Sequence, residues 1–282
     1  MARVVLTTGC RSGFGLATAR TAARKGWTVY AGLRDLDTAG DLLAATRGLD
    51  VHPIQLDVTQ DEQRLAAVSR ITREQGRLDA LVNNAGRGLG GFLELVEEDE
   101  LRDLFEVNLF GAWSMTRACL PLLRQSDRST VVMLSSTSGL TALPGLGAYS
   151  ATKFALEGMA EAWRHELALF GIRVVLIEPG AYATEIFGRN RRVCRQAADP
   201  GPYEPWVEGI VRIFDDTAAR IARDPQEVAD AIVGCMVHPR PALRHPLGPG
   251  SALRNIVRRA VPFRLVEFVM QRALARARRS GP

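Results

Sequence analysis

The 282-residue chain is poor in cysteine, and its four, Cys10, Cys119, Cys194 and Cys235, show no paired spacing. That usage excludes a disulfide scaffold and suits reduced thiols in a cytoplasmic protein. Histidine is equally scarce. His52, His165, His238 and His245 stand at no metal-ligand spacing, so no metal is expected. No window reaches eighteen apolar residues, which excludes a spanning helix of the usual kind. Val4–Leu6 and a glycine loop follow the first residues directly, leaving no space for a secretory leader. Internal repeats and low-complexity linkers are missing too. Net positive charge is confined to one end: from Ser251 onward there are eight arginines against the single acid Glu267, a local +7. The whole chain carries +5, so residues 1–250 stand at −2. A body this close to neutral offers no electrostatic footprint for nucleic acid, and none is expected as a partner.

What is present is a regular alternation of strand and helix, the pattern of a parallel sheet covered on both faces. Val4–Thr8, Trp27–Gly32, Asp50–Leu56, Leu78–Val82, Thr130–Ser135, Ile172–Ile177 and Ala242–Leu247 read as strands. The predicted fold is a doubly wound Rossmann domain with a seven-stranded, mainly parallel sheet over residues 1–250. A basic helical extension of the same domain follows over residues 251–282.

The first strand breaks into Thr8-Gly-Cys-Arg-Ser-Gly-Phe-Gly15, and Leu16–Lys25 then reads as a helix. Glycines between strand and helix permit a tight turn and let the backbone approach a pyrophosphate at the helix start. Thr8, Gly9, Arg11, Ser12, Gly13, Phe14 and Gly15 are therefore candidate cofactor contacts. The second strand decides which dinucleotide is bound. An acid at its end would hold a ribose 2′-hydroxyl. Here Leu33 and Arg34 stand in that place, with Arg11 in the glycine loop. A guanidinium holds a 2′-phosphate that an acid would repel, so NADP(H) is favoured over NAD(H). Asp35 tempers this, because it can pair with Arg34. Asp57, followed by Val58, is placed to accept from an adenine amino group or to cap a helix over Thr59–Glu74. Asn83-Asn84-Ala85-Gly86 closes the fourth strand with the small residues and amides that suit a floor under the adenine ribose. Asn108 interrupts an apolar helical region around Val96–Gln125, where an amide is costly unless it is used.

Tyr149 and Lys153 are four apart and share one face of a helix. A free phenol has a pKa near ~10, and a neighbouring ammonium draws it towards a useful acid/base range. Ser136 follows the Thr130–Ser135 strand, which delivers its hydroxyl at the strand's carboxyl end. A hydroxyl to polarise a carbonyl, a phenol to move its proton and a lysine to tune the phenol suit interconversion of a ketone and a secondary alcohol.

Together, Thr8-Gly-x-x-x-Gly-x-Gly15, Asp57, Asn83-Asn-Ala-Gly86, Asn108, Ser136, Tyr149, Lys153 and Pro179-Gly180 with Thr184 resemble the short-chain dehydrogenase/reductase family. Tyr30-Ala-Gly-Leu-Arg-Asp35, Lys153-Phe-Ala-Leu-Glu-Gly158 and Ile177-Glu-Pro-Gly180 are similar to its 17β-hydroxysteroid and retinol dehydrogenase branch. The resemblance covers about residues 3–184. It implies that Tyr149 is the general acid/base, that Ser136 orients the substrate oxygen, and that Lys153 binds the nicotinamide ribose. Asn108 would break its helix and hold a water connecting Lys153 to solvent. Pro179, Gly180 and Thr184 would support the nicotinamide half.

A substrate lid is expected over about residues 184–222, where the alternation lapses. Its arginines, Arg189, Arg191, Arg192 and Arg195, read as a solvated face rather than as a site for an acidic substrate. Apolar stretches at Phe92–Val96 and Leu140–Leu146 imply a small lipophilic substrate. The tail divides at Pro262 into two short apolar stripes. Packing over the cleft or at a subunit interface is expected in preference to membrane association, and the assembly is expected to be a homodimer or homotetramer.

Overall fold

The computed structural model describes residues 2–182, 192–221, 223–249, 251 and 260–279. Seven strands form one sheet: β1 (Val4–Thr7), β2 (Thr28–Leu33), β3 (Val51–Gln55), β4 (Ala80–Asn83), β5 (Ser129–Leu134), β6 (Ile172–Pro179) and β7 (Arg244–Leu247). Their order is β3-β2-β1-β4-β5-β6-β7. Every pairing is parallel, so the sheet is parallel throughout rather than mainly so.

The β-branched strands feed both faces of the sheet, because successive side chains alternate. Val4, Leu6, Val131 and Met133 enter one core layer with Ile71, Met115 and Leu156. Those three come from α3 (Asp61–Gln75), α5 (Gly111–Leu123) and α6 (Gly147–Glu166). Val5, Val132 and Leu134 enter the opposite layer with Ala19, Ala22, Leu42 and Ile232. These belong to α1 (Gly13–Arg24), α2 (Gly40–Ala45) and α8 (Gln226–Val237). Each fully buried leucine in such a layer contributes about 1.5–3 kcal/mol. The sheet is thus buried on both sides, as an all-parallel sheet requires.

β1 has β2 on one side and β4 on the other, so the direction of winding reverses between them. A crevice opens at the carboxyl ends of strands flanking such a switch point, where dinucleotides bind in folds of this kind. Three helix boundaries differ from expectation. α1 begins at Gly13, not Leu16, so the glycine loop supplies the helix's own first turn. α3 begins at Asp61 with Gln60 before it, two residues later than the sequence suggested. The long helical region is α4 (Glu98–Phe105), a wider turn over Glu106–Phe110 with π-type hydrogen bonding, and then α5.

Beyond β6, α7 (Glu204–Ile221) lies outside the sheet layers, and α9 (Phe263–Arg279) packs along it. Ala277 of α9 is buried there. A Cβ on Gly209 of α7 would stand 2.2 Å from the Ala277 carbonyl oxygen, so the two backbones are in direct contact. The tail is therefore a packed cover on its inner side. Among the described residues no helix is long and apolar enough to cross a membrane.

Candidate active site

The glycine loop is shaped by contacts that leave no space for side chains. Gly9 and Gly13 adopt φ of 70° and 58°, in the left-handed region. A Cβ on Gly15 would lie 2.2 Å from the Gly9 carbonyl oxygen and 2.5 Å from the Asn84 side-chain nitrogen. The side-chain amide of Asn84 donates to the Thr8 and Gly9 carbonyls at 2.7 and 3.0 Å. The Thr8 hydroxyl accepts from the Asn84 and Ala85 amides at 3.0 and 2.9 Å. Asn84 and Thr8 thus tie the first and fourth strand ends together, which sequence alone did not suggest. Asn83 turns into the core and donates to the Thr116 hydroxyl at 2.8 Å.

The amino end of α1 is open to an anion. Ser12 precedes it with no side-chain capping bond, and no acid stands in the first turn. Arg11, in the glycine loop, and Arg34, directly after β2, are both exposed. Asp35 does not pair with Arg34; it accepts from the Asp37 amide at 2.9 Å and caps a short turn. Asp57 accepts from the amide and hydroxyl of Thr59 at 2.9 and 2.7 Å, closing a turn ahead of α3 rather than capping the helix itself. Val58 is buried beneath it, against Gly111. This cradle, narrowed to backbone and lined by uncommitted amides, fits a dinucleotide phosphate.

Ser136 leaves β5 in extended conformation and accepts from the Ser138 amide at 3.1 Å, which orients its hydroxyl. That hydroxyl meets the Tyr149 phenol, which rises from the first turn of α6. Lys153 follows one turn later, its ammonium 5.7 Å from the Tyr149 ring centroid and donating to the Leu134 carbonyl at 2.8 Å. Burial pushes the phenol up to about 12, and the Ser136 hydrogen bond opposes this. Burial also draws Lys153 down to about 8, with the Glu157 carboxylate opposing. The expected lowering of the phenol by the lysine is not found; burial sets the direction instead. Desolvation dominates because the protein interior disfavours both charged forms.

Asn108 sits at the centre of the widened turn and is 2% exposed. Its side chain accepts from the Arg87 amide at 2.9 Å, and donates to the Arg87 carbonyl at 2.9 Å and the Thr152 hydroxyl at 3.1 Å. The Thr152 hydroxyl in turn donates to the Tyr149 carbonyl at 2.8 Å. Gly86 stands between Asn108 and Lys153: its missing Cβ would be 3.2 Å from the Asn108 oxygen and 3.8 Å from the lysine nitrogen. The expected local break of the helix at Asn108 is therefore present.

Gly180 ends β6, its amide bonded to the Leu247 carbonyl at 2.9 Å, directly after the buried Pro179. Thr184, Arg189 and Arg191 lie outside the described residues. Arg195 is exposed, as expected, yet it is not merely solvated. It binds the carboxylates of Glu97 and Asp99, and its amide donates to Glu100 at 3.0 Å, fastening the segment around Arg195 to the start of α4. Gly91 joins the same seam, where a Cβ would fall 2.4 Å from the Cys194 sulfur.

Glu157 and Thr152 were missed from the sequence. The signal for Glu157 was available, since it stands one turn beyond Lys153 on the same helix face. It is 2% exposed and pairs with Arg244 at 3.0 Å, and the fully buried Glu178 lies 3.4 Å from the same guanidinium.

An apolar cluster of Leu89, Phe92, Ala148, Tyr149 and Tyr203 adjoins the phenol. Phe92 and Tyr203 stack at 4.3 Å between ring centroids. These two rings also line a cavity of about 750 Å³, together with Trp206 of α7 and Leu274 and Arg278 of α9. Among the described residues no group of three or more histidine, cysteine or acidic side chains is placed to hold a metal.

A Rossmann sheet with an open phosphate cradle and a Ser-Tyr-Lys set at its carboxyl edge defines a nicotinamide-type oxidoreductase. A family model for short chain dehydrogenase matches residues 3–194. The chain belongs to the short-chain dehydrogenase/reductase family, near its 17β-hydroxysteroid and retinol dehydrogenase branch. It is 34% identical to a 3-ketodihydrosphingosine reductase of Bacteroides thetaiotaomicron, over 88% of each chain. Human 17-beta-hydroxysteroid dehydrogenase type 1 is 36% identical over 87% of this chain and 77% of its own. A solved short-chain dehydrogenase from Streptomyces avermitilis superimposes with a TM-score of 0.81 at 34% identity, covering 100% of both chains.

Proposed function

We propose that the protein is an NADP(H)-dependent oxidoreductase that interconverts a lipophilic ketone and its secondary alcohol. The observation that carries this reading is the meeting of Ser136, Tyr149 and Lys153 at the carboxyl end of β5, beside an apolar cluster and cavity. Thr8, Gly9, Arg11, Ser12, Gly13, Phe14, Gly15, Asp57, Val58, Asn84, Ala85 and Gly86 hold the dinucleotide, with Pro179, Gly180 and Thr184 at its nicotinamide end. Arg34 and Arg11 accept the 2′-phosphate, supported by the absence of an acid at position 33 and by the engagement of Asp35 elsewhere. The cofactor supplies the hydride.

Ser136 holds the substrate oxygen. Tyr149 donates the proton to it during reduction, a role supported by a phenol that stays protonated at neutral pH. Donation leaves a phenolate, and the Lys153 ammonium 5.7 Å from the ring stabilises that charge. Asn108 keeps Arg87 and Thr152 in place behind the lysine. Residues 184–222 act as the lid, and Phe92, Tyr203 and Trp206 receive the apolar body of the substrate. The names of the sphingoid and steroid enzymes among its relatives support a lipophilic substrate. Assembly as a homodimer or homotetramer is part of the proposal, supported by the exposed Phe110, Trp113 and Phe154 along α5, α6 and the turn before α5.

The test is oxidation of NADPH and NADH by purified protein with a panel of ketones. NADPH should be preferred by at least tenfold, about 1.4 kcal/mol. Tyr149→Phe should lower turnover by about 10²–10⁴-fold while cofactor binding survives. Activity of Tyr149→Phe within about threefold of the parent, well short of a general-acid loss, would remove Tyr149 from the mechanism. A preference for NADH would overturn the cofactor assignment.

A further inference from the structure

The inner side of α9 packs on α7, while large apolar groups on its outer side face water. At about 100° per residue, Met270, Leu274 and Ala277 share the side that faces α7, and Arg264, Leu265, Phe268, Val269 and Arg272 share the opposite side. Leu265, Phe268 and Val269 are 57%, 50% and 54% exposed, large apolar groups side by side in water. Arg264 and Arg272 flank them, and the Arg272 guanidinium stacks over the Phe268 ring at 4.5 Å. The helix has one acid, the exposed Glu267, against the arginines Arg264 and Arg272 beside the apolar patch, so the face is net positive.

We propose that this outer face docks on a lipid surface bearing acidic headgroups. Apolar side chains ringed by arginines match the boundary between acyl chains and anionic headgroups, where the stems bury and the guanidinium groups stay among phosphates. A second copy of the face is a poor partner, because arginines would meet arginines with only Glu267 to offset them. The same helix lines the cavity of about 750 Å³ with Leu274 and Arg278. Docking would place that cavity, whose Phe92 and Tyr203 belong to the same apolar cluster as Tyr149, close to the bilayer as a delivery route for a lipophilic substrate. This delivery route rests on the proposed function, whereas the docking does not.

The test is co-sedimentation of the full chain with vesicles of phosphatidylcholine alone or mixed with phosphatidylglycerol. Binding is expected only to the mixed vesicles at about 100 mM salt, with release at about 500 mM as the charges are screened. Arg264→Gln with Arg272→Gln should weaken partitioning about 25-fold, at about fivefold for each charge. Phe268→Ser with Val269→Ser should weaken it at least about tenfold. Both pairs are exposed, and their thermal midpoints should match the parent's. Protein that stays in the supernatant with mixed vesicles, or binding that both pairs leave unchanged, would overturn the proposal. So would a smaller particle on sedimentation of either pair without vesicles, which would assign the face to a second copy. No arm reads turnover, so failure here is distinct from failure of the reaction assignment.

Discussion

Replacing Asn108 by alanine tests the arrangement behind Lys153. The side chain makes three hydrogen bonds, to the Arg87 amide, the Arg87 carbonyl and the Thr152 hydroxyl, at 2.9, 2.9 and 3.1 Å. Thr152 keeps its own bond to the Tyr149 carbonyl, so its loss is small. The two backbone groups of Arg87 lose their partners, and each unsatisfied buried group costs about 1–3 kcal/mol. A total near 3 kcal/mol is expected. Unfolding entropy of about 2.1 cal/mol/K per residue gives about 0.6 kcal/mol/K for a chain of this length, so the melting temperature should fall by about 5 °C. Asn108→Asp is the sharper companion. It keeps an acceptor for the Arg87 amide but sets a second oxygen against the Arg87 carbonyl, so it should melt no higher than the alanine variant. Scanning calorimetry reads both. An alanine variant melting within about 1 °C of the parent, far inside that expected fall, would show that these bonds do not hold the widened turn.

Lys153, drawn down to about 8, should gain a proton when anionic phosphates bind nearby, because they favour its charged form. Dinucleotide binding should therefore take up protons at pH about 8.5 and weaken as pH rises through about 8, the free protein's value. Calorimetry in two buffers of different ionisation enthalpy measures this; zero uptake, or uptake that persists in Lys153→Met, would refute it. Gly209→Ala places a Cβ against the Ala277 backbone, which can yield only if α7 and α9 part. The overpacking should cost about 1–3 kcal/mol, or about 2–5 °C, and speed tryptic cleavage within the arginine-rich tail. Unchanged melting and cleavage would show that the helices do not meet there.

The sequence by itself determined the fold class and supplied the members of the proposed reactive set. Strand runs such as Thr130–Ser135 are apolar on both faces, which only a doubly covered parallel sheet satisfies. Tyr149 and Lys153 lie within one helix, so local spacing alone places them together. Ser136, Asn84 and Asn108 were legible by position at strand ends or in an apolar helix, but their partners were not. Tertiary structure decided those partners, because each bond joins residues far apart in the chain: Asn84 to Thr8, Asn108 to Arg87, Arg195 to Glu97. It also reversed the balance at Tyr149. Spacing set a lysine beside the phenol, but the amount of water excluded from both is a property of the packed core, and that exclusion raises the phenol and lowers the lysine. The two sides of the tail differ for the same reason. Its stripes were visible in sequence, yet only contact with α7 settles which side is buried and leaves Leu265, Phe268 and Val269 facing water.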